Sequence, residues 1–243
     1  MEPILFPHRL LMPAEQDWSV QGSSQEGGRP QVGGTPQRIL FGGGGLNVAK
    51  FSNIYLRKRE QFAAWRAIAM QMDNGAAQIV VPYCNRRSGP ILPGTSLAPV
   101  PHSDGAFFSD GAGYQGEGVS SVTLAPADFR DTTMKLRILG GRPLIGGEPF
   151  SFKHPNAGWR IYWIAAVSSA TAVSGGFDYE VRFRTPLRER VAAGTEIEWR
   201  LPRCTMRIAD PNGMSMNEEM LRRSTVSVAF VEDFQVYATD LGF

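Results

Sequence analysis

The sequence has few of the patterns that mark a metal, nucleotide or catalytic centre. Its three histidines, His8, His102 and His154, share no short spacing, whereas zinc ligands occur at short fixed intervals. It contains neither a G-x-S-x-G nucleophile elbow nor a phosphate-binding P-loop. We therefore expect no enzyme activity, no catalytic residues, no cofactor and no metal site. A glycosidase pair of carboxylates stays open, because its two acids can lie anywhere in a chain.

An excess of charge of one sign is also absent. The 25 Lys and Arg residues nearly balance the 23 Asp and Glu residues, for a formal net charge of +2. The basic residues are interspersed with acids, which argues against a nucleic-acid binder that neutralises phosphates. No run approaches the roughly 20 apolar residues that cross a bilayer. The first residues, MEPILFPHRLLMP, lack the apolar segment of a signal peptide. The sequence predicts a soluble protein made in the cytoplasm.

Cysteine is scarce. Cys84 and Cys204 lie far apart and form no C-x-x-C motif. Secreted disulfide scaffolds use several bridges in a short chain. Free buried thiols are therefore favoured over a disulfide, although the sequence leaves both open.

One helix is predicted, over residues 57–75. Apolar residues recur there at three- and four-residue spacing, which places one apolar stripe on a helix that must be buried. Asn74 and Gly75 are a good stop signal, because Gly adopts a left-handed conformation without a Cβ clash. The stripe consists of Phe62, Trp65, Ala69 and Met72.

Strands are predicted on both sides of this helix and throughout the second half of the chain. Leu46–Leu56 and Ile79–Pro82 flank the helix, giving a strand–helix–strand unit. Later apolar residues alternate with polar ones, which is typical of strands with one buried face. These later strands are Met134–Ile138, Arg160–Ala165, Phe177–Phe183, Ile197–Leu201 and Val226–Phe230, the last continued by Phe234 and Val236. Thr185-Pro186-Leu187 is expected to open a short helical turn that ends at Gly194.

The fold class is therefore mainly β with one main α-helix (α+β). Residues 1–118 are predicted to form a sandwich-type domain that the C-terminal strand, 224–243, rejoins. Residues 119–210 form a small β-barrel, and 211–223 a polar connector. Residues 21–45 are rich in Gly, Ser, Gln and Pro, which fits either a flexible loop or an extended arm. The loop over 83–118 is long enough to reach a neighbouring chain.

Two groups of residues are candidates for contacts. Cations at the head of the predicted helix oppose the helix macrodipole, so pairing with an acidic surface of a neighbouring subunit competes with a solvated helix end. Aromatic residues on the Arg160 strand favour core packing over a groove for sugar rings. The subunit-contact candidates are Arg57, Lys58, Arg59 and Glu60, and the glycan-contact candidates are Trp159, Tyr162 and Trp163.

Several motifs resemble those of the distal tail (tail-hub) proteins of long-tailed, siphovirus-type bacteriophages and gene-transfer particles. The first half has the arm Gly34-Thr35-Pro36-Gln37-Arg38 and a helix of the form R-x-x-x-x-x-x-x-W-x-A from Arg57 to Ala67. The second half has a G-x-P-L-x-G-G-x-x-F-S-F element over 141–152, then the segments Thr185–Arg188, Val191–Thr195 and Pro202–Ile208. This run is similar to the small barrel of oligonucleotide/oligosaccharide-fold (OB-fold) or galectin-like type in such proteins.

The resemblance implies a structural virion protein of the baseplate hub. Such proteins form a homo-oligomeric ring, commonly a hexamer, that joins the tail-tube protein above to tip and hub proteins below. The ring leaves a channel through which DNA passes, and it sits at the tail tip after assembly in the host cytoplasm. The alternatives are a carbohydrate-binding module that aids host attachment and a hydrolase of cell-wall sugars.

Overall fold

The computed structural model describes residues 3–22, 24–27, 38–40, 43–72, 75–84, 89–90, 109, 119–216 and 224–234. The chain forms two compact units. The first unit contains Met1–Cys84, Lys153–Ile161 and Arg203–Phe243, and the second contains Asn85–Phe152 and Tyr162–Pro202. Lys153–Ile161 and the first residues after Pro202 thus belong to the first unit, whereas the sequence placed them in the 119–210 domain.

A six-stranded sheet forms the framework of the first unit. Its order is β1-β6-β12-β13-β5-β2, and all neighbours are antiparallel except β1 and β6. Both predicted strands that flank the helix are confirmed with the expected bounds. The strands are β1 (Ile4–Leu5), β2 (Pro13–Gln21), β5 (Leu46–Leu56), β6 (Ile79–Pro82), β12 (Arg203–Ile208) and β13 (Ser224–Glu232).

The helix of the described residues, α1 (Arg59–Gln71), connects β5 to β6. Trp65 and Met72 are fully buried, and Ile68 is nearly so. Ile68 was not part of the predicted stripe, whereas Phe62 and Ala69 are only half-buried. The buried stripe is therefore confirmed in its period but is rotated towards Ile68. Beyond the helix, Gly75 has a φ of +88° and donates its N–H to the carbonyl of Met72, as expected for a glycine stop.

Aromatic rings fill the core of the first unit. Phe6, Phe51 and Phe230 pack edge to face, with centroid separations of 5.4, 5.7 and 5.9 Å. Each ring is fully buried, and this arrangement adds to the free energy gained from burial alone.

A curled five-stranded sheet, in the order β7-β8-β11-β10-β9, forms the second unit. The segment around Glu198 bridges its two edge strands, because Val122 of β7 pairs with Glu196 and Ser151 of β9 pairs with Glu198. This closure explains the barrel-like shape that the sequence predicted. The strands are β7 (Ser120–Thr123), β8 (Thr133–Leu139), β9 (Pro149–His154), β10 (Gly158–Val173) and β11 (Gly176–Phe183).

The interior of this unit is also aromatic. Phe150, Phe152, Tyr162, Phe183 and Trp199 are buried together, and the rings of Phe152 and Tyr162 stack at 5.1 Å.

The turn between β10 and β11 is a tight hairpin, in which Val173 pairs with Gly176. Gly175 has a φ of +82°, and a Cβ on Gly176 would clash with the carbonyl of Ile138. Only glycine is tolerated at this pair of positions without strain.

Three local predictions differ from the structure. Ile197 and Trp199 are buried as expected, but Ile197–Leu201 is not a strand and has one isolated bridge, between Glu198 and Ser151. The segment after Thr185 is a series of turns without a helix, because Leu187 and Val191 bond to the backbone of Asp131 and Ala127 instead of to their own segment. The last strand ends at Glu232, so Phe234 does not continue it. Val236, most of 83–118 and 217–223 lie outside the described residues.

Candidate functional site

The predicted contact residues lie at the start of α1. Arg57, Lys58, Arg59 and Glu60 are all exposed, and Lys58 is the N-cap. The side-chain oxygen of Gln61 accepts the backbone N–H groups of Arg57 and Lys58 at 2.8 and 3.1 Å. In a capping box, the side chain at the third helical position accepts the backbone N–H of the N-cap residue, as Gln61 does here for Lys58. This hydrogen bond fixes the geometry with which the chain enters the helix.

These charges are only partly compensated inside the chain. The Arg57 guanidinium lies 5.4 Å from the centre of the Tyr55 ring. Within the described part of the chain, neither Arg59 nor Glu60 is in an ion pair. Cations at this end oppose the helix macrodipole, so an anionic group on another molecule would be attracted to it.

Exposed apolar side chains border the same cations. The Gln61 amide donates to the carbonyl of Leu10 at 3.0 Å, which brings the segment before β2 to the first turn of α1. Pro13, which follows Met12, pairs with Ile54, which precedes Tyr55. Met12 is 71% exposed and Tyr55 45%. We name Leu10, Met12, Tyr55 and residues 57–60 the helix-entry surface.

A second feature is a two-stranded ribbon that we name the β-arm. The arm extends from the β2–β5 hairpin through β3 (Ser24–Glu26) and β4 (Arg38–Leu40), which pair only with each other among the described residues. Ile39 on this ribbon is 55% exposed. The described part of residues 21–45 thus contains a short pair of strands, besides residues in no regular structure.

A cleft of about 660 Å³ opens at the other end of β5, lined by Leu46, Gly75, Ala76, Arg207, Glu232, Asp233 and Phe234. Its acids are occupied inside the protein. Glu232 accepts the backbone and side-chain N–H groups of Asn47 at 3.0 and 2.9 Å, and Asp233 accepts the Gln78 amide at 3.1 Å.

Behind the cleft lies a buried arginine that the sequence did not single out. Arg160 is 1% exposed. It donates to the carbonyls of Thr205 and Asp233 at 3.0 and 2.7 Å, and its Nη1 lies 3.7 Å from a carboxylate oxygen of Glu232. Its guanidinium also faces the Phe234 ring at 4.4 Å. This network compensates the buried charge, so its geometry fits a structural role.

The glycan-contact candidates do not share an open face. Tyr162 is fully buried, and its hydroxyl accepts the backbone N–H of Arg188. Trp159 and Trp163 are half-buried, and the Arg203 guanidinium covers the Trp159 ring at 4.3 Å. Tyr162 therefore cannot stack on a sugar.

Both cysteines are free thiols, as the sequence favoured. Burial raises the pKa of Cys84 to about 11. Burial, with a smaller contribution from the Glu232 carboxylate, raises the pKa of Cys204 to about 12. Thiols of this kind are poor nucleophiles at neutral pH, because the thiolate is the reactive form.

Over the described ranges, no group of three or more His, Cys, Asp or Glu residues is arranged to hold a metal ion. The described helix is also too short and too polar to cross a membrane. Comparison of the chain with protein-family models and with curated proteins found no match.

Proposed function

We propose that this protein is a structural component of a virion tail, a distal tail or baseplate hub protein that assembles with copies of itself into a ring. The β-arm is the observation that carries the proposal. An isolated two-stranded ribbon is marginally stable in water, so a ribbon whose two strands form a sheet of their own gains stability when another surface covers it.

Ring closure needs two different complementary surfaces on each chain. The β-arm supplies one of them, with Ile39 as its exposed apolar side chain. The helix-entry surface supplies a second, because it combines exposed apolar groups with cations whose charges are only partly compensated within the described part of the chain. The two together support a head-to-tail arrangement of copies.

A structural role without enzymatic activity is part of the proposal. It is supported by the internal hydrogen bonds of Glu232 and Asp233, which occupy the carboxylates of the cleft. In the ring, DNA passes through the channel, the tail-tube protein lies above and the tip proteins lie below. A net charge of +2 suits a channel that DNA crosses without sticking.

The test is the mass of the particle in solution, measured by mass photometry and by negative-stain electron microscopy. We expect rings for the wild type and smaller species for Ile39→Asp and for Arg57→Glu/Arg59→Glu. Ile145→Asp, which changes an 88% exposed isoleucine of the second unit, is the matched control and should keep the ring. A wild-type chain that stays monomeric at every concentration refutes the proposal.

A further inference from the structure

The turn between β7 and β8 holds one residue in a backbone conformation that its side chain disfavours. Arg130 has a φ of +72°, where the Cβ of an L-residue approaches the neighbouring carbonyl. Among non-glycine residues, Asn and Asp occupy this region far more readily than Arg. Such a residue persists only where its surroundings hold it, and strain of this kind clusters at binding and catalytic sites.

Hydrogen bonds hold the turn on both sides. Arg130 donates its N–H to the carbonyl of Leu187 at 3.0 Å, and Leu187 donates to the carbonyl of Asp131 at 2.9 Å. Within the turn, Asp128 donates its N–H to the Asp131 carboxylate at 2.7 Å, and Asp131 donates back to the carbonyl of Asp128 at 3.1 Å. The turn is therefore rigid before any ligand arrives.

This rigid turn presents a mixed surface to solvent. The Phe129 ring is 57% exposed, and the Arg130 guanidinium lies 5.2 Å from its centre. Arg190 Nε lies 3.3 Å from Asp128 Oδ1, with both side chains largely exposed. An exposed ion pair of this kind contributes little to stability. Its two groups can therefore bond to a ligand instead of to each other at a small cost in free energy.

We propose that Asp128, Phe129, Arg130 and Arg190 form a binding site for a hydroxyl-rich saccharide. A sugar hydroxyl both donates and accepts hydrogen bonds, and here carboxylates accept while guanidinium groups donate. The exposed Phe129 ring offers an apolar face for the C–H face of the sugar ring. Because the turn is already fixed, little conformational entropy is lost on binding.

Charge argues against a polyanion such as nucleic acid at this site. Asp128 and Asp131 offset Arg130 and Arg190, whereas proteins that bind nucleic acid neutralise several phosphates with uncompensated cations. The site shares no residue with the β-arm or the helix-entry surface, so saccharide binding goes beyond ring assembly and does not depend on it.

The experiment is a glycan array probed with the full-length chain, with binding to each positive saccharide then measured by titration. We expect Phe129→Ala to weaken binding about tenfold, since stacking on one aromatic ring contributes on this scale. Ile145→Ala is the control, because it removes a more exposed apolar side chain from another loop of the same unit and should leave binding unchanged.

A second variant separates binding from folding. Glycine adopts a positive φ without a steric cost, so Arg130→Gly should keep Tm at or above the wild-type value while it weakens saccharide binding. Saccharide binding that survives in Phe129→Ala overturns the proposal. No binding to any printed saccharide overturns it as well, and so does binding of a DNA oligonucleotide that Arg130→Gly abolishes. None of these results changes the outcome of the ring measurement.

Discussion

Replacing the buried arginine is the sharpest test of the packing in the first unit. We expect Arg160→Met to lower the free energy of unfolding by about 3–5 kcal/mol, the range seen when one partner of a buried ion pair is removed. Methionine keeps much of the apolar stem but leaves the Glu232 carboxylate, 3% exposed, without its nearby cation. It also removes the donors to the carbonyls of Thr205 and Asp233.

The size of the effect depends on what remains around Glu232. Its hydrogen bonds from Asn47 persist in the variant, which limits the loss. Glu232→Gln removes the carboxylate charge, so the double variant Arg160→Met/Glu232→Gln should be more stable than the sum of the two single changes predicts. A coupling energy of about 0.5–3 kcal/mol is expected for residues in one such network.

Urea denaturation with linear extrapolation measures both quantities. Arg137→Met is the control, because it breaks the Arg137–Asp178 ion pair, which is partly exposed to solvent, and should cost far less than Arg160→Met. A loss below about 1 kcal/mol for Arg160→Met, or strictly additive single changes, would refute the argument that a buried, mutually compensated network holds this region.

Three further outcomes are expected. Trp65→Ala should cost about 3–5 kcal/mol in the same urea assay, because the ring is fully buried; a cost below about 1 kcal/mol would contradict that burial. Iodoacetamide at pH 8 should label neither Cys84 nor Cys204 until the chain unfolds, and mass spectrometry of the native protein would detect any labelling. Asp178→Asn should flatten the loss of Tm below pH 3.8, because hydrogen bonds from Arg137 hold the pKa of Asp178 below that ordinary value. The stability contributed by this interaction is present above the ordinary pKa of Asp178 and is lost as pH falls through its pKa in the folded protein. An equal decrease of Tm at acid pH in the variant and the wild type would therefore disprove it.

The elements that can be predicted from the sequence are those with a clear local pattern of apolar and polar residues. The helix was found because Trp65 and Met72 recur at helical spacing, and β5 and β6 because their residues favour strands. The segment from Ile197 to Leu201 shows the limit of this signal. The alternation of apolar and polar residues in this segment correctly predicts that Ile197 and Trp199 are buried. Such alternation indicates which side chains face the core, but it does not indicate whether a neighbouring strand pairs with the segment through continuous hydrogen bonds.

The buried network around Arg160 could not be predicted in this way. The sequence RIYWIA is typical of a nearly continuous apolar strand, and its local pattern does not indicate that the arginine is buried. The partners of Arg160 lie 45 and 73 positions away, and Asn47 and Glu232 are separated by 185. A charged side chain can be buried only where such distant groups compensate it. Which groups come together depends on the tertiary fold, so a local sequence pattern does not predict the burial.

The turn at Arg130 has a backbone conformation that its local sequence does not indicate. Asp-Phe-Arg-Asp reads as an ordinary polar turn, and neither Gly nor Asn marks a positive φ within it. A glycine at this position would relieve the strain, so stability alone does not account for an arginine there. Positions that break a local rule without a gain in folding are the ones where function is expected. The exposed Phe129 ring beside Arg130 is consistent with that expectation, since burial in the core would have stabilised the ring more than exposure does.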